Sequence, residues 1–546
     1  MRSKETLKFI NSNIKGCKGK IALLSIAQIL LGALTVAFSF MLRFVIGAIE
    51  EGEKDKLILY TIIIGSIALA LIILQIFYRI YYEVSYVDIE NKLKKNLFQT
   101  LLNNNYQEIK KTHDEEWIHR LTSDTNVIAS SILSILPSLC RMVVQLVLAL
   151  AAIIYLYPIF GLSLIPFIIL IILITYFMRK RLKKAHHLVQ ETDGRVKVFF
   201  FESLQGLSIV HSFVKEDIFS KKNEENLEAH KKARLKRNLF AIMCSIGFVV
   251  VYYAFYVFAI AFFGVKIINE GIAIGLLTAV VALLSQLTGP LGNITSIIPR
   301  YYSLLASGER LRIEKEEEAC YLSKEEIDNF YDKEFKSINV DNISFSYLDK
   351  YGNKVDALKD FSLLINKNEK ILIKGHSGGG KTTLFKIILS LLSPEKGQVL
   401  LNNEPLDKKY ERLFAYVPQD NLLMEGTIKE VVTLYDKDVD DDRLQEALCL
   451  SSSGAFIDEL ALRENTYLNE KGSGLSLGEM ERIAIARAIY SDAPIMLLDE
   501  CSASLDLETE KKVISNILAM EDKTIVLISH HKYDESLFDL VIDLGE

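Results

Sequence analysis

Residues 375–382 read Gly-His-Ser-Gly-Gly-Gly-Lys-Thr, a complete G-x-x-x-x-G-K-[ST] phosphate-binding loop. The loop lies between an apolar strand pattern at 370–374 and a helical pattern at 383–392. Glycines in such a loop let successive backbone N–H groups point at phosphate oxygens, and the helix behind it adds its positive end. Lys381 brings a positive charge, and the Thr382 hydroxyl can ligate Mg²⁺. Because these flanks disfavour a chance glycine-rich turn, the sequence predicts a nucleoside-triphosphate site in an α/β domain.

Two more motifs follow in the same C-terminal stretch. Residues 495–500 read Ile-Met-Leu-Leu-Asp-Glu, an apolar strand pattern that ends in two carboxylates. Such acidic strand ends are common at metal sites, so this motif alone identifies no family. Residues 475–479 read Leu-Ser-Leu-Gly-Glu and begin a helical pattern shortly before that strand. The order of these motifs resembles the nucleotide-binding domain of the ATP-binding cassette (ABC) transporters.

The resemblance implies roles for individual residues, with ATP and Mg²⁺ as cofactors. Asp499 would hold Mg²⁺ through water, Glu500 would polarise the attacking water, and His530 would contact the γ-phosphate. Gln419 would sense Mg²⁺ and the membrane domain, and Tyr347 would stack on adenine. The implied catalytic residues are Glu500, His530 and Gln419, the implied metal ligands are Thr382, Gln419 and Asp499, and the implied nucleotide-binding residues are Tyr347, Gly375, His376, Ser377, Gly378, Gly379, Gly380, Lys381, Thr382, Thr383, Ser476 and Gly478.

The segment at 475–479 departs from the family's signature at two positions. Leu477 stands where glycine is usual, and Glu479 stands where glutamine is usual. Ser476 and Glu479 keep the spacing of a capping box, so we expect the helix to keep its geometry. The added bulk and negative charge would lie near the phosphates bound by a partner subunit. Two alternatives stay open: a heterodimer with one impaired ATP site, and a homodimer that tolerates the change.

The N-terminal part of the chain predicts a membrane domain. Hydrophobic residues make up 50% of the sequence, and they concentrate in long apolar runs outside the C-terminal domain. Each run provides the ~20 helical residues that a bilayer core requires. Buried core helices usually keep a polar stripe, which 146–156 and 162–177 lack. Only Tyr157 and Pro158 separate the third and fourth runs, which predicts a tight hairpin. The predicted spans are about 21–48, 57–83, 132–157, 159–178, 239–268 and 272–298.

The distribution of lysine and arginine predicts the orientation. These residues are concentrated in the N-terminal tail and in the connections that begin near residues 92 and 179, whereas the connection at 50–55 is acidic. The positive-inside bias places the N-terminus in the cytosol, and six crossings return the chain there. We therefore expect a multi-pass protein of the cell membrane with both termini cytosolic. The 20 residues before the first span are too few to bury a core, so we expect no folded domain there.

Two connections, 84–131 and 179–238, are much longer than a hairpin needs. They are charged and amphipathic, which predicts helices that extend the spans below the bilayer. By resemblance to ABC exporters, transverse helices at 117–124 and 202–210 would dock on the ATPase domains. A solvated stalk with no docking role stays an alternative. In the same way, 503–506 would be the D-loop that crosses the dimer interface.

Together the patterns predict a polytopic α-helical membrane domain, with six transmembrane helices and long cytosolic extensions, followed by a C-terminal α/β P-loop ATPase domain. The predicted boundaries are 1–307 for the membrane domain, 308–336 for a charged linker and 337–546 for the ABC nucleotide-binding domain.

The resemblance implies ATP-driven export by alternating access, in a dimer with a second half-transporter that is either identical or different. The expected partners are that subunit, membrane lipid and an unidentified small-molecule or peptide substrate, which would be amphipathic, peptidic or lipid-like. The net charge of −6 gives no reason to expect nucleic acid as a partner. An ATP-gated channel or a regulatory membrane ATPase of the same fold stays an alternative.

Overall fold

A computed structural model describes residues 2–112, 114–312, 321–348, 353–376, 378–420, 423–469, 472 and 474–544. Within these ranges, side chains are not described at 2, 3, 167, 168, 170–180, 182, 183, 186, 241, 244, 245, 248, 251, 290–296 and 298. The chain divides into a helical unit, Met1–Leu102 with His113–Glu314, and an α/β unit, Asn103–Thr112 with Lys315–Glu546. The predicted fold class, a helical domain followed by an α/β domain, is confirmed.

Long helices joined by short connections make up the helical unit. They are α1 (Arg2–Asn13), α2 (Lys18–Glu50), α3 (Lys54–Leu102), α5 (Asp114–His119), α6 (Thr125–Leu156), α7 (Pro158–Gln205), α8 (Leu207–Ser212), α9 (Glu216–Glu270) and α10 (Ile274–Arg310), while α4 (Tyr106–Lys110) belongs to the α/β unit. The hairpin predicted at Tyr157 and Pro158 is confirmed. Tyr157 is extended (φ −152°, ψ 94°), and Pro158 begins α7. Proline suits this first helical position because the backbone N–H that it lacks would make no hydrogen bond within the helix.

Four stretches of the described residues are helical, long and apolar enough to cross a membrane, by length and composition. They are Lys18–Glu50, Lys54–Leu102, Asp114–Leu156 and Tyr252–Glu270. These stretches contain the first three predicted spans and most of the fifth. The predicted spans 159–178 and 272–298 lie within α7 and α10, whose side chains are described only in part, and they stay predictions.

Polar side chains inside the helical unit bond from one helix to another. Gln145 Nε2 of α6 donates to Gln286 Oε1 of α10 at 2.8 Å, and Gln286 Nε2 donates to Ser39 Oγ of α2 at 3.0 Å. Arg141 Nη1 of α6 donates to Gln28 Oε1 of α2 at 3.4 Å. Polar groups at membrane depth are costly unless they are paired, so these bonds fix which faces of α2, α6 and α10 meet.

A short helix, α4, precedes the predicted transverse segment 117–124, whose docking on the ATPase domain stays a prediction. Helix α4, rather than 117–124, is the segment that belongs to the α/β unit. Gln107 Oε1 in α4 accepts a hydrogen bond from Ser393 N at 3.3 Å. The second prediction, 202–210, is close to the short helix α8, which follows a break at Gly206.

Residues 117–124 instead form the end of α5 and a π-helical turn, Arg120–Asp124, that leads into α6. Trp117 is only 8% exposed, and the Arg120 guanidinium lies 4.3 Å from its ring centroid. Trp117 is therefore a buried side chain that packs against Arg120, the first residue of the π-helical turn.

The α/β unit contains a five-stranded parallel sheet and a four-stranded antiparallel sheet. The strands are β1 (Ser337–Leu348), β2 (Lys354–Asn366), β3 (Lys370–Lys374), β4 (Lys396–Leu401), β5 (Glu404–Pro405), β6 (Phe414–Val417), β7 (Gly426–Thr427), β8 (Tyr467–Leu468), β9 (Ile495–Asp499), β10 (Thr524–Ile528) and β11 (Leu540–Asp543). The parallel sheet has the order β11-β3-β10-β9-β6, and the antiparallel sheet has the order β2-β1-β4-β5.

Helices cover the sheets of this unit. They are α11 (Lys324–Lys333), α12 (Lys381–Ile388), α13 (Ile428–Val432), α14 (Asp441–Leu450), α15 (Gly454–Glu459), α16 (Leu477–Ser491) and α17 (Leu507–Leu518). Strands β3, β9 and β10 are buried along their length, as a parallel sheet covered on both faces requires. Their carboxyl ends share one edge, which is where the phosphate-binding loop begins.

Part of the predicted linker folds onto the α/β unit. Helix α11 begins with a capping box in which Ser323 and Glu326 bond to each other's backbone N–H. Ile327 and Tyr331 are buried in the core of the unit, and the Tyr331 hydroxyl lies 2.8 Å from Thr524 Oγ1. The charged side chains of α11 therefore lie on the outer face of an amphipathic helix, while the charged run at 314–318 lies outside the described residues.

Candidate nucleotide site

The phosphate-binding loop follows β3, and its backbone depends on glycine. Gly375, Gly378 and Gly380 have φ values of 143°, 86° and 84°, which lie in the left-handed region. A Cβ atom at Gly380 would lie 2.1 Å from Ala357 O, so no other residue fits there. Lys381 begins α12, and its Nζ donates to Gly375 O at 2.8 Å and to His376 O at 3.0 Å. The predicted site residue Ser377 lies outside the described residues.

A cavity of about 280 Å³ opens beside this loop. It is lined by Tyr347, Val355, Asp356, Ala357, Gly378, Gly379, Gly380, Lys381, Thr382, Thr383, Gln419 and Glu500. The Tyr347 hydroxyl lies 3.2 Å from Thr383 Oγ1, which places the ring of β1 beside the start of α12. The start of strand β2, at 355–357, was missed from the sequence, because it contacts the loop through its backbone and carries no motif.

Glu500 is the point at which four segments of the chain meet. Its backbone is left-handed, with φ 49°, directly after β9 ends. Glu500 Oε2 accepts a hydrogen bond from Gln419 Nε2 at 2.8 Å, and Oε1 lies 2.7 Å from His530 Nε2. Lys381 Nζ lies 3.9 Å from Glu500 Oε1 and 3.2 Å from His530 Nε2. The structure thus brings together four residues that the sequence placed in one site.

Asp499 provides the oxygen that suits a divalent cation. Its side chain is 0% exposed, and among the described residues Oδ1 has no hydrogen-bond partner. The Tyr416 hydroxyl donates to the other oxygen, Oδ2, at 3.4 Å. Burial raises the pKa of Asp499 above its ordinary value, and the nearby Glu500 carboxylate raises it further, although a hydrogen bond with Thr382 opposes the shift. A cation beside Asp499 would remove this penalty, so Asp499 and Thr382 fit the predicted Mg²⁺.

Ser476 and Gly478 do not line this cavity; they lie at the start of α16. The predicted capping box is confirmed, because Glu479 Oε2 accepts from Ser476 N at 2.7 Å while Ser476 Oγ accepts from Glu479 N at 3.3 Å. A Cβ atom at Gly478 would lie 3.1 Å from Ser504 O, so the D-loop packs closely on this segment. Leu477 is 66% exposed.

Sequence reasoning missed a buried acidic pair behind these loops. Glu510 of α17 is 3% exposed, and it bonds with Ser502 Oγ at 3.0 Å, with His531 Nδ1 at 2.6 Å and with the Tyr533 hydroxyl. Glu481 of α16 accepts from Ser504 N at 3.1 and 3.0 Å, and burial raises the pKa of its carboxyl. The one signal in the sequence is that Glu510 falls on the apolar face of α17, beside Val513 and Ile514.

Two family models match the sequence. The ABC transporter transmembrane region matches residues 21–291, and the ABC transporter model matches residues 358–503. The chain belongs to the ABC transporter family. Its helical unit is accordingly a transmembrane domain, its α/β unit is the ABC nucleotide-binding domain, and the two are fused in one chain.

Known members of the family resemble this ABC transporter chain over much of its length. The lactococcin-A transport/processing ATP-binding protein LcnC of Lactococcus lactis subsp. lactis is 30% identical over 422 residues, which are 75% of this chain and 56% of LcnC. The transport/processing ATP-binding protein ComA of Streptococcus pneumoniae serotype 4 is 26% identical over 545 residues, 94% of this chain and 71% of ComA. The chain therefore spans little more than half the length of LcnC.

A solved structure has the same fold. It is the structure of a bacterial Atm1-family ABC exporter with ATP bound, with a TM-score of 0.80 and 21% sequence identity. The match covers 96% of this chain and 93% of that one. The fold of this chain is therefore that of an ABC exporter.

Asp499→Asn should stabilise the chain in the absence of nucleotide, because it removes a buried carboxylate with an unpaired oxygen. A gain of about 1 kcal/mol corresponds to roughly 2–4 °C in a unit of this size. The same variant should lose the extra stabilisation that ATP with Mg²⁺ gives over ATP with EDTA. Scanning calorimetry measures both effects. A variant that melts below the native chain and still responds to Mg²⁺ contradicts the metal assignment.

Glu510→Gln should destabilise the α/β unit by about 1–3 kcal/mol, because an amide cannot accept all the hydrogen bonds that the carboxylate accepts. Glu508→Gln is the matched control, since Glu508 lies on the exposed face of the same helix. Calorimetry and phosphate release should both show a loss for Glu510→Gln alone. Equal melting temperatures and equal phosphate release for the two variants would mean that the hydrogen bonds of Glu510 do not stabilise these loops.

Proposed function

We propose that this chain is an ABC exporter half-transporter that couples ATP hydrolysis to the movement of a substrate across the cell membrane. The convergence of Glu500, Gln419 and His530 on the phosphate-binding loop carries the proposal. The proposal includes both termini in the cytosol, and the domain boundaries 1–307, 308–336 and 337–546.

In this mechanism, Glu500 orients the attacking water and accepts its proton. Gln419 and His530 hold the two oxygens of Glu500, which fixes the direction in which its lone pairs point. Lys381 bonds to loop carbonyls at 2.8 and 3.0 Å, so its charge is held where the β- and γ-phosphates would lie. Tyr347, which lines the same cavity, would stack on adenine.

We infer that Thr382, Gln419 and Asp499 hold Mg²⁺. When bound, the ion neutralises phosphate charge and aligns the γ-phosphate for transfer to water. The support is a buried carboxylate oxygen, Asp499 Oδ1, that has no hydrogen-bond partner among the described residues, with the Thr382 hydroxyl near the same carboxyl group.

The nucleotide site is proposed to be completed by a second subunit. Ser476 and Gly478 lie at the positive end of α16, outside the cavity of their own chain, and would face the γ-phosphate bound by a partner. The partner is either a copy of this chain or a different half-transporter.

The substrate is proposed to be amphipathic, a class that includes peptides and lipid-like molecules. LcnC is named for lactococcin-A transport and processing, which supports a peptide.

Glu500→Gln should retain ATP binding and lose phosphate release by roughly 10²–10⁴-fold, because an amide cannot accept the proton of the attacking water. Phosphate release and retention of labelled ATP, measured on the purified chain in lipid nanodiscs, check both parts. Glu521→Gln is the matched control, since Glu521 is exposed on the same unit. Near-native turnover by Glu500→Gln would remove this residue from catalysis and leave the proposal without its main support.

The double change Leu477→Gly with Glu479→Gln should raise ATPase activity about two- to fivefold. It removes a negative charge from the helix end that attracts phosphate, which is worth about 0.3–1 kcal/mol. Glutamine can keep the capping box, so helix geometry should not change.

Glu430→Gln is the matched control for this experiment. Glu430 closes an identical capping box with Thr427 at the start of α13, away from the nucleotide cavity. No gain from the double change, with a fully active native chain, would favour a homodimer adapted to this signature. Activity that appears only when a second half-transporter is added would favour the heterodimer.

A further inference from the structure

A second cavity, of about 510 Å³, lies between α7 and α9 in the helical unit. It is lined by Arg181, Lys184, Ala185, His187, Leu188, Glu191, Ala233, Lys236 and Phe240. Its volume falls within the range of about 300–1,000 Å³ that ligand pockets in proteins occupy.

Contacts on one side of the cavity hold the two helices together. Thr192 Oγ1 of α7 lies 3.2 Å from His230 Nδ1 of α9, and further along the pair the rings of Phe199 and Phe219 stack at 5.9 Å. In both helices these contacts lie on the side away from the predicted spans, 159–178 and 239–268. The residues that line the cavity, 181–191 of α7 and 233–240 of α9, lie along the helices between these contacts and the predicted spans.

The charge of the cavity is positive. Arg181, Lys184 and Lys236 contribute cations, and the lining carboxylate, Glu191, already accepts a hydrogen bond from Arg195 at 2.7 Å. Among the side chains that the structure describes, no ion pair joins Arg181, Lys184 or Lys236 to a carboxylate. Cations grouped without counter-charges repel one another, and a bound anion would relieve this repulsion.

We propose that this cavity binds the anionic phosphate headgroup of a membrane lipid. The cations lie within a few residues of the ends of two predicted spans, at the depth of the headgroups, and Phe240 and Leu188 provide an apolar wall. Basic pockets between membrane helices on the cytosolic side suit such headgroups. The inference rests on the proposed function only for the orientation of α7 and α9.

Native mass spectrometry of the full-length chain in detergent tests the proposal, with dioleoylphosphatidylglycerol as the probe and dioleoylphosphatidylcholine as the neutral lipid. The native chain should bind the anionic lipid at least about tenfold more tightly. Lys184→Gln with Lys236→Gln should weaken that binding on the order of tenfold, because each cation near a headgroup contributes several-fold.

Lys197→Gln with Lys231→Gln is the matched control. These lysines lie on the same two helices, are exposed, and pair with Asp193 at 2.8 Å and Glu228 at 3.1 Å. The control removes the same charge outside the cavity, so it should leave lipid binding within about twofold of native, a spread well below the several-fold effect of one cation.

Several results would overturn the proposal. They are equal affinity for the two lipids, equal losses in the two double variants, and full displacement of the lipid by millimolar inorganic phosphate, which would identify a free-anion site. ATPase activity in phosphatidylcholine nanodiscs separates this inference from the proposed function. An active chain without the lipid preference would contradict the headgroup site alone. A chain that prefers the anionic lipid but stays inactive, also with that lipid and a second half-transporter present, would contradict export alone.

Discussion

The candidate site depends on how strand β9 ends. β9 lies between β10 and β6 in the parallel sheet, so its carboxyl end is held on both sides, and Glu500 N donates to Ile528 O at 3.0 Å. The backbone then turns left-handed at Glu500, a conformation that costs a residue with a side chain about 1–2 kcal/mol. That turn directs the carboxylate toward Gln419 and His530, which follow β6 and β10. The sheet therefore maintains a locally unfavourable backbone at the residue proposed to activate water.

The two buried charged side chains of this site, Lys381 and Asp499, differ in whether their polar atoms have hydrogen-bond partners. Lys381 is 5% exposed, and two loop carbonyls accept its hydrogen bonds. Asp499 has an oxygen with no partner among the described residues, which costs about 1–3 kcal/mol. In the proposed nucleotide complex, phosphate would compete with the carbonyls for Lys381, whereas a metal ion at Asp499 Oδ1 would displace no hydrogen-bond partner among the described residues. Binding of the proposed Mg²⁺ would thus be linked to folding of this unit through one oxygen atom.

The features that depend only on residues close together in the chain were predicted correctly from the sequence. The phosphate-binding loop, the capping box of Ser476 and Glu479, and the hairpin at Tyr157 each depend on residues within one or two turns, and the structure contains all three. The resemblance to ABC transporters, which rests on the order of the motifs, also implied that Lys381, Gln419, Glu500 and His530 share one site. In the structure these residues follow parallel strands whose carboxyl ends meet at one edge of the sheet.

The sequence did not predict contacts that depend on distant packing. Trp117 and Gln107 both lie in a charged connection, and only the packing of the folded chain decides that Trp117 is buried in the helical unit while α4 belongs to the α/β unit. Glu510 was missed for the same reason, since its partners Ser502 and His531 come from other loops. Which side of a helix meets which neighbour cannot be read from periodicity when both sides carry polar residues.

The two departures from the family signature, Leu477 and Glu479, are not required by the fold of this unit. Glu479 closes the capping box through an oxygen that glutamine would also provide, so the geometry of α16 does not require its negative charge. Leu477 is largely exposed, so its bulk is little used for packing within the described chain. Both departures therefore lie on a surface that a single subunit leaves free. In the proposed dimer, their effect on ATP hydrolysis would be decided by the charge and shape that the second subunit presents to that surface.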